Sequence, residues 1–167
     1  MGSTIAAKSK CLPPGIYPPV ISLYKSTPRQ EIDLDASYKF FSHLIRGGVH
    51  GLVLAGTNAE AVLLSAEERK ELVKVAKKAA SDLGRPELPV VAGISGQSTN
   101  ESIRLAEDAL SAGANFGLLL PPNYWAKAVT KDVILSFYHD VADATALPLV
   151  VYSVSCRTVS QNDHTGC

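Results

Sequence analysis

Short apolar runs alternate with amphipathic segments along the whole of this 167-residue chain. Apolar residues follow one another in most of the runs, which is typical of strands covered on both faces rather than on one. The first run contains two adjacent prolines, which suit the start of a strand because a missing N–H donor costs little there. The predicted strands are 15–24 (GIYPPVISLY), 52–55 (LVLA), 88–95 (LPVVAGIS), 116–120 (FGLLL) and 147–152 (LPLVVY).

Each interval between two runs carries apolar residues at helical spacing, bounded by helix start and stop signals. Two of the starts, Ser65 with Glu68 and Ser98 with Glu101, are capping-box patterns, in which a serine is followed three residues later by glutamate. Glycine or proline ends the first three helices. The predicted helices begin at Asp33 or Asp35, Ser65, Ser98 and Thr130, and the first three end near Gly47, Gly84 and Gly113.

Strict alternation of strands and helices predicts an α/β fold with a parallel sheet and right-handed crossovers. Two architectures fit five strands and four helices. One is a complete doubly wound, flavodoxin-like domain, and the other is part of a (β/α)8 barrel, which typically needs about 250 residues. Domain organisation follows from the same pattern: a flexible lead over 1–14, the α/β unit over 15–152, and a disordered tail over 153–167 with few apolar residues.

Composition narrows the function classes. The formal net charge is zero and no basic stripe is present, which argues against nucleic-acid and anionic-membrane partners. No apolar run approaches membrane-spanning length, and the N-terminus has no apolar core of a secretory signal. Cys11, Cys156 and Cys167 form no CxxC pair, so a zinc site or disulfide framework is not expected. Reduced thiols favour a cytoplasmic location, with the mitochondrion as the alternative.

The turn after the second predicted strand is the strongest candidate for chemistry. Its sequence is Gly56-Thr57-Asn58-Ala59-Glu60, and it lies at the carboxyl end of the sheet, where ligands bind in α/β folds. Gly56 lets the backbone approach a ligand, while the Thr57 hydroxyl and the Asn58 amide can hold a carboxylate or phosphate. A plain connecting loop with a capping threonine explains the same residues equally well.

Several blocks of the chain, in order, resemble the dihydrodipicolinate synthase and N-acetylneuraminate lyase family, and within it the fungal 4-hydroxy-2-oxoglutarate aldolase-like branch. The blocks are GIYPPVISLY, GLVLAGTNAEAVLLSAEERKELV, PVVAGISGQSTNESIRLAEDALSAGA, LLLPPNYW and LPLVVY. Together they lie within residues 15–152. The resemblance implies a (β/α)8 barrel and a class I aldolase or synthase. Such enzymes bind pyruvate, or a keto acid that releases it, as a Schiff base on lysine, without metal or organic cofactor.

The resemblance also implies roles for individual residues. Thr57 matches a hydroxyl that links to the family's proton-relay tyrosine, and Tyr152, at the end of the last predicted strand, matches that tyrosine. Gly56, Thr57 and Asn58 match the loop that binds the keto-acid carboxylate, although Asn58 replaces a hydroxyl and Ala59 replaces a glycine. Tyr124 matches a tyrosine that reaches a neighbouring subunit's site in relatives, which are homo-oligomers.

The family's Schiff-base lysine lies on the strand that follows, and no lysine of this chain matches it. We therefore expect a C-terminally truncated barrel that lacks aldolase activity by itself. Two further functions remain open. The chain is alternatively a non-catalytic partial subunit that associates with full-length relatives, or a complete flavodoxin-like anion-binding domain.

Overall fold

A computed structural model describes residues 11–124 and 129–153. Within these ranges the chain forms four helices and a four-stranded parallel sheet in the order β1-β2-β3-β4. The strands are β1 (Leu52–Leu54), β2 (Val90–Gly93), β3 (Phe116–Leu119) and β4 (Leu149–Val151). The helices are α1 (Leu34–Arg46), α2 (Ala66–Asp82), α3 (Thr99–Ser111) and α4 (Lys131–Ala144). The predictions for Trp125 and for most of both termini, 1–10 and 154–167, lie outside the described residues.

Local capping signals begin the helices where the sequence predicts. Asp33 and Ser65 accept hydrogen bonds from the backbone N–H groups three residues ahead, and Ser65 and Glu68 complete the predicted capping box. Ser98 and Thr130 act in the same way on α3 and α4. The second predicted capping box is formed only in part. The carboxylate of Glu101 accepts from the N–H of Gln97 at 2.7 Å instead of reaching the cap residue.

The predicted first strand forms two isolated bridges, a parallel one between Pro19 and Val53 and an antiparallel one between Tyr24 and Ile32, and not a regular strand. Proline has no N–H to donate, so a continuous ladder is impossible at this point. Two backbone hydrogen bonds still hold the segment parallel to β1, from Val53 to the carbonyl of Pro18 and from Val20 to the carbonyl of Val53. The segment thus occupies the position of a first strand with fewer hydrogen bonds than a regular one.

Strand order decides between the two predicted architectures. A doubly wound sheet reverses its strand order at a switch point, whereas here each strand pairs with the next one in sequence. Right-handed crossovers then place all four helices on the same side, where consecutive helices contact each other. The fold is therefore part of a (β/α)8 barrel, as one of the two alternatives predicted, and the flavodoxin-like alternative is wrong.

The two faces of the sheet differ in burial. Leu52, Leu54 and Val90 point towards the helices and are completely buried in the core. Val53 and Leu118 belong to the opposite face, which lines the inside of a barrel, and both are only partly buried, whereas Val91 and Phe116, which pair on that face, are buried. The inner face of this partial barrel is thus open towards the carboxyl ends of the strands, where the candidate turn lies.

Candidate active site

The four residues predicted for catalysis and substrate binding line a single cleft of about 650 Å³ at the carboxyl end of the sheet. Three of them follow β1 and the fourth, Tyr152, follows β4 directly. The cleft is lined by Tyr17, Pro19, Val53, Gly56, Thr57, Asn58, Leu118 and Tyr152. Parallel strands end at the same edge of the sheet, which places Gly56, Thr57, Asn58 and Tyr152 together, and their chemical roles stay predictions.

The turn after β1 has an uncommon backbone conformation. Thr57–Ala59 and Ala61–Leu63 are two short 3-10 helices, separated by Glu60 with φ 54°. Ala55, which precedes the turn, has φ 50°. Left-handed backbone costs about 1 kcal/mol or more for a residue with a Cβ. Because the left-handed positions are Ala55 and Glu60, the alanine at position 59 fits its place without backbone strain.

Thr57 and Asn58 are both exposed and present polar groups to the cleft. The Asn58 side chain donates one hydrogen bond from Nδ2 to the carbonyl of Pro19, at 3.1 Å. Its second N–H and the Thr57 hydroxyl are suited to donate to an anion. The Asn58 bond also joins the turn to the proline segment that forms the opposite wall.

Tyr152 is fixed by its backbone rather than by its phenol. Its N–H donates to the carbonyl of Leu119 at 3.0 Å, and its side chain is 43% exposed in the cleft. Within the described residues, the Tyr152 phenol and the Thr57 hydroxyl do not form a hydrogen bond with each other. The two groups therefore share a cleft but do not yet form the predicted relay.

Tyr124 stands apart from the cleft, and its side chain is 75% exposed. Gln97 holds the loop that carries it. Gln97 Oε1 accepts from the N–H groups of Asn123 and Tyr124, at 3.3 and 3.1 Å, and Gln97 Nε2 donates to Asn123 Oδ1 at 3.1 Å. The sequence analysis identified Tyr124 and did not identify the glutamine that positions its backbone.

Arg69 is a second residue that the sequence analysis missed. Its side chain crosses from α2 to the top of the sheet, where Nη1 donates to the carbonyl of Gly93 at 3.1 Å and Nη2 donates to Ala61 at 2.5 Å. Burial lowers the pKa of the guanidinium, and the Glu101 carboxylate opposes this effect. A signal was present, because Arg69 precedes Leu72, Val73 and Ala76 at helical spacing on the buried face of α2.

Lysine, the nucleophile that the resemblance implies, is absent from this cleft among the described residues. None of the four described strands contains a lysine. On α2, Lys70 pairs with Asp108 at 3.0 Å, and Lys77 donates to the carbonyls of Pro86 and Leu88, which precede β2. Those positions lie on the helical layer or at the opposite end of the sheet.

Comparisons with known proteins agree with the fold. The model of the Dihydrodipicolinate synthetase family matches residues 13–162. A protein of Coccidioides immitis that carries the provisional name mitochondrial 4-hydroxy-2-oxoglutarate aldolase is 41% identical over 140 residues, which are 84% of this chain and 43% of that protein. The 4-hydroxy-tetrahydrodipicolinate synthase of Phenylobacterium zucineum is 35% identical over 144 residues, 86% of this chain and 46% of that protein.

Solved structures give the same result. A dihydrodipicolinate synthase family protein from Coccidioides immitis superposes with a TM-score of 0.77 at 39% identity, covering 86% of this chain and 45% of that one. YagE of E. coli K12, solved in complex with pyruvate, superposes with a TM-score of 0.75 at 30% identity, covering 86% and 46%. The chain thus spans less than half the length of the relatives it matches.

Proposed function

We propose a function from the fact that the chain belongs to the dihydrodipicolinate synthetase family. The chain supplies the keto-acid-binding half of a Schiff-base lyase or aldolase site, of the 4-hydroxy-2-oxoglutarate aldolase or dihydrodipicolinate synthase type. The substrate class is pyruvate or a 2-keto acid that releases it. By itself, the chain as given does not turn over such a substrate. Its location is cytoplasmic or mitochondrial, and the C. immitis relative carries a mitochondrial name.

The single observation that carries this proposal is the shared cleft of Thr57, Asn58 and Tyr152. In the proposed site, the Thr57 hydroxyl and Asn58 Nδ2 donate to the substrate carboxylate beside Gly56, which lines the cleft. The Tyr152 phenol moves a proton to or from the substrate hydroxyl during carbon–carbon cleavage. This role requires the Tyr152 phenol to reach the Thr57 hydroxyl, whose oxygen accepts the phenol O–H while its own hydrogen points to the carboxylate.

The proposed lack of turnover follows from the surroundings of the described lysines. A Schiff-base lysine must be neutral at working pH, which requires an enclosed site or a neighbouring cation. Lys70, Lys74 and Lys78 instead pair with carboxylates on the helical layer, and the carboxylate of Asp82 raises the pKa of Lys78. The pairing with Asp82 thus favours the protonated amine of Lys78, which cannot attack a carbonyl carbon.

Two measurements on the full chain test the proposal. In a titration with pyruvate followed by amide NMR, we expect shifts confined to the Gly56–Asn58 turn and to Tyr152, with acetate as the matched anion without a keto group. Thr57→Val weakens the response several-fold. Absence of shifts at these positions contradicts the proposed binding site.

Intact mass after incubation with pyruvate and borohydride tests the second half. We expect no adduct. A stoichiometric adduct means that a lysine of this chain is the nucleophile, and the proposed lack of turnover is then wrong.

A second candidate function is that of a non-catalytic subunit that associates with full-length relatives. The exposed outer strand favours it, because Val151 of β4 is 61% exposed, and so does the exposed Tyr124 loop. Unpaired strand edges are sites of pairing with other chains. In size-exclusion chromatography with light scattering, this candidate predicts co-elution with a full-length family member and weaker co-elution for Tyr124→Ala. A monodisperse monomer in the mixture argues against it.

A further inference from the structure

The turn that carries Thr57 and Asn58 does not hold its conformation through backbone preference. Ala55 precedes the turn and Glu60 lies between its two 3-10 helices, and both are non-glycine residues with positive φ. Such residues persist only where surrounding contacts determine the backbone more strongly than local sterics do. The contacts internal to the turn are four hydrogen bonds of 3-10 geometry, donated by the N–H groups of residues 59, 60, 63 and 64. These bonds are weaker than α-helical ones, so an external contact is needed.

Ser22 Oγ donates to the carbonyl of Ala59 and Asn58 Nδ2 donates to that of Pro19, which hold the first 3-10 helix, and Arg69 provides the contact to the second from α2. One of its N–H groups binds the carbonyl of Ala61, inside the second 3-10 helix, and another binds the carbonyl of Gly93, the last residue of β2. Gly93 is itself packed against the strained residue, because a Cβ added there would lie 1.9 Å from the carbonyl oxygen of Ala55. The guanidinium therefore links the turn to β2, the strand against which Ala55, at the start of the turn, is already packed.

Burial of the Arg69 guanidinium costs free energy, which an arginine that only filled space would not offset. Arg69 forms no salt bridge with any described residue, and its Nε is buried without a hydrogen-bond partner in the part of the chain that the structure describes. An apolar side chain of similar length fills such a position without the desolvation penalty of a cation. What the arginine adds is a pair of fixed, charge-assisted donors at two backbone carbonyls.

We propose that Arg69 is a positioning residue that holds the turn carrying Thr57 and Asn58 in its ligand-binding conformation. The inference deepens the proposed keto-acid site and rests on it for its functional meaning. The structural part of the inference, that Arg69 holds the turn, depends only on the two carbonyl contacts and the two residues with left-handed backbone. The guanidinium does not touch the substrate in this proposal, and it acts through the turn.

Hydrogen exchange on the full-length chain tests the structural part without any ligand. In Arg69→Met, we expect exchange of the hydrogen-bonded amides of the turn to increase at least about tenfold, because a charge-assisted hydrogen bond is lost. Amides in α3 change less than about twofold. Lys70→Met is the matched control, since its lost contact is an ion pair that joins the same helix to Asp108 of α3 and not to the turn. Equal protection of the turn in both variants overturns the proposal, and so does a uniform increase across the whole chain.

Two additions keep the test decisive. If Arg69→Met does not fold, Arg69→Lys is judged by the same criterion, because one cationic donor remains and an intermediate increase in exchange is expected. Pyruvate titration of the variant then separates the two proposals. If the variant has a mobile turn and binds pyruvate more weakly than the parent, both proposals are supported. If the turn becomes mobile but the parent itself shows no pyruvate response, Arg69 remains a positioning residue and the keto-acid site is rejected.

Discussion

Replacing Gly93 by alanine tests whether the junction under the candidate turn is as closely packed as the structure indicates. A Cβ at this position would lie 1.9 Å from the carbonyl oxygen and 2.7 Å from the carbonyl carbon of Ala55. Both atoms belong to the backbone, so no side-chain rotation relieves the clash. Ala55 is already in the left-handed region, and the displacement therefore adds to existing strain.

The expected cost follows from these contacts. Overpacking of a core typically costs about 1–3 kcal/mol, and a clash with backbone atoms belongs at the upper end, about 3 kcal/mol. For a chain of this size, that corresponds to a decrease of about 6–12 °C in Tm. Hydrogen bonds of Gly93 to its neighbours in the sheet remain possible, so the fold is weakened but not replaced.

Gly56→Ala is the matched control, with the same substitution in the turn itself. Gly56 has φ −81°, and a Cβ there would meet only Asn58 Oδ1, at 3.5 Å. We expect a change of less than about 1 kcal/mol, towards stabilisation, since alanine restricts the unfolded chain. Urea unfolding followed by far-UV circular dichroism measures both variants. A free energy of unfolding for Gly93→Ala within about 1 kcal/mol of the parent refutes the close approach to Ala55.

Three smaller changes test other contacts. Asn58→Ala removes the bond to Pro19, and the urea midpoint then falls by the equivalent of about 0.5–1.5 kcal/mol. Ser65→Ala removes a complete capping box and costs about 1 kcal/mol in thermal unfolding, more than Thr130→Ala, whose cap bond is 3.4 Å long. The pKa of Asp82 is lowered by hydrogen bonds, so its contribution to stability is present above its ordinary pKa of 3.8 and is lost as the pH falls through the lowered value. Asp82→Asn therefore shows a smaller decrease of the urea midpoint on acidification below about pH 4 than the parent, and an unchanged profile contradicts this.

Helix starts and the position of the cleft follow from the sequence because both depend on short-range or topological rules. Asp33 and Ser65 cap helices through bonds to residues three positions ahead, which a local pattern fully contains. The meeting of Thr57 and Tyr152 follows from parallel strands, since all such strands end at the same edge of the sheet. Neither prediction requires knowledge of which side chains touch.

Long-range contacts account for what the sequence does not predict. Helical spacing places Arg69 on the buried face of α2, but within the charged sequence EERKEL nothing local indicates its bond to Gly93, 24 positions away. The left-handed conformations of Ala55 and Glu60 have no local signal either, because neither residue favours positive φ. The reduced first strand is intermediate: its prolines are visible in the sequence, but the bridge at Val53 depends on register.

The parts that hold the candidate turn all lie within the described part of this chain, and this has a consequence for how the site forms. Three residues that hold the turn lie on either side of it in the sequence. Pro19 precedes the turn, whereas Arg69 and Gly93 follow it. The segments that hold the turn are therefore no further than about forty residues from it in the sequence. The entropic cost of closing loops of this length is low. A keto-acid carboxylate would meet a turn that is already organised when these segments have folded. We therefore expect the pyruvate response of the turn to survive in Tyr152→Phe, because the phenol acts on the substrate hydroxyl and not on the carboxylate.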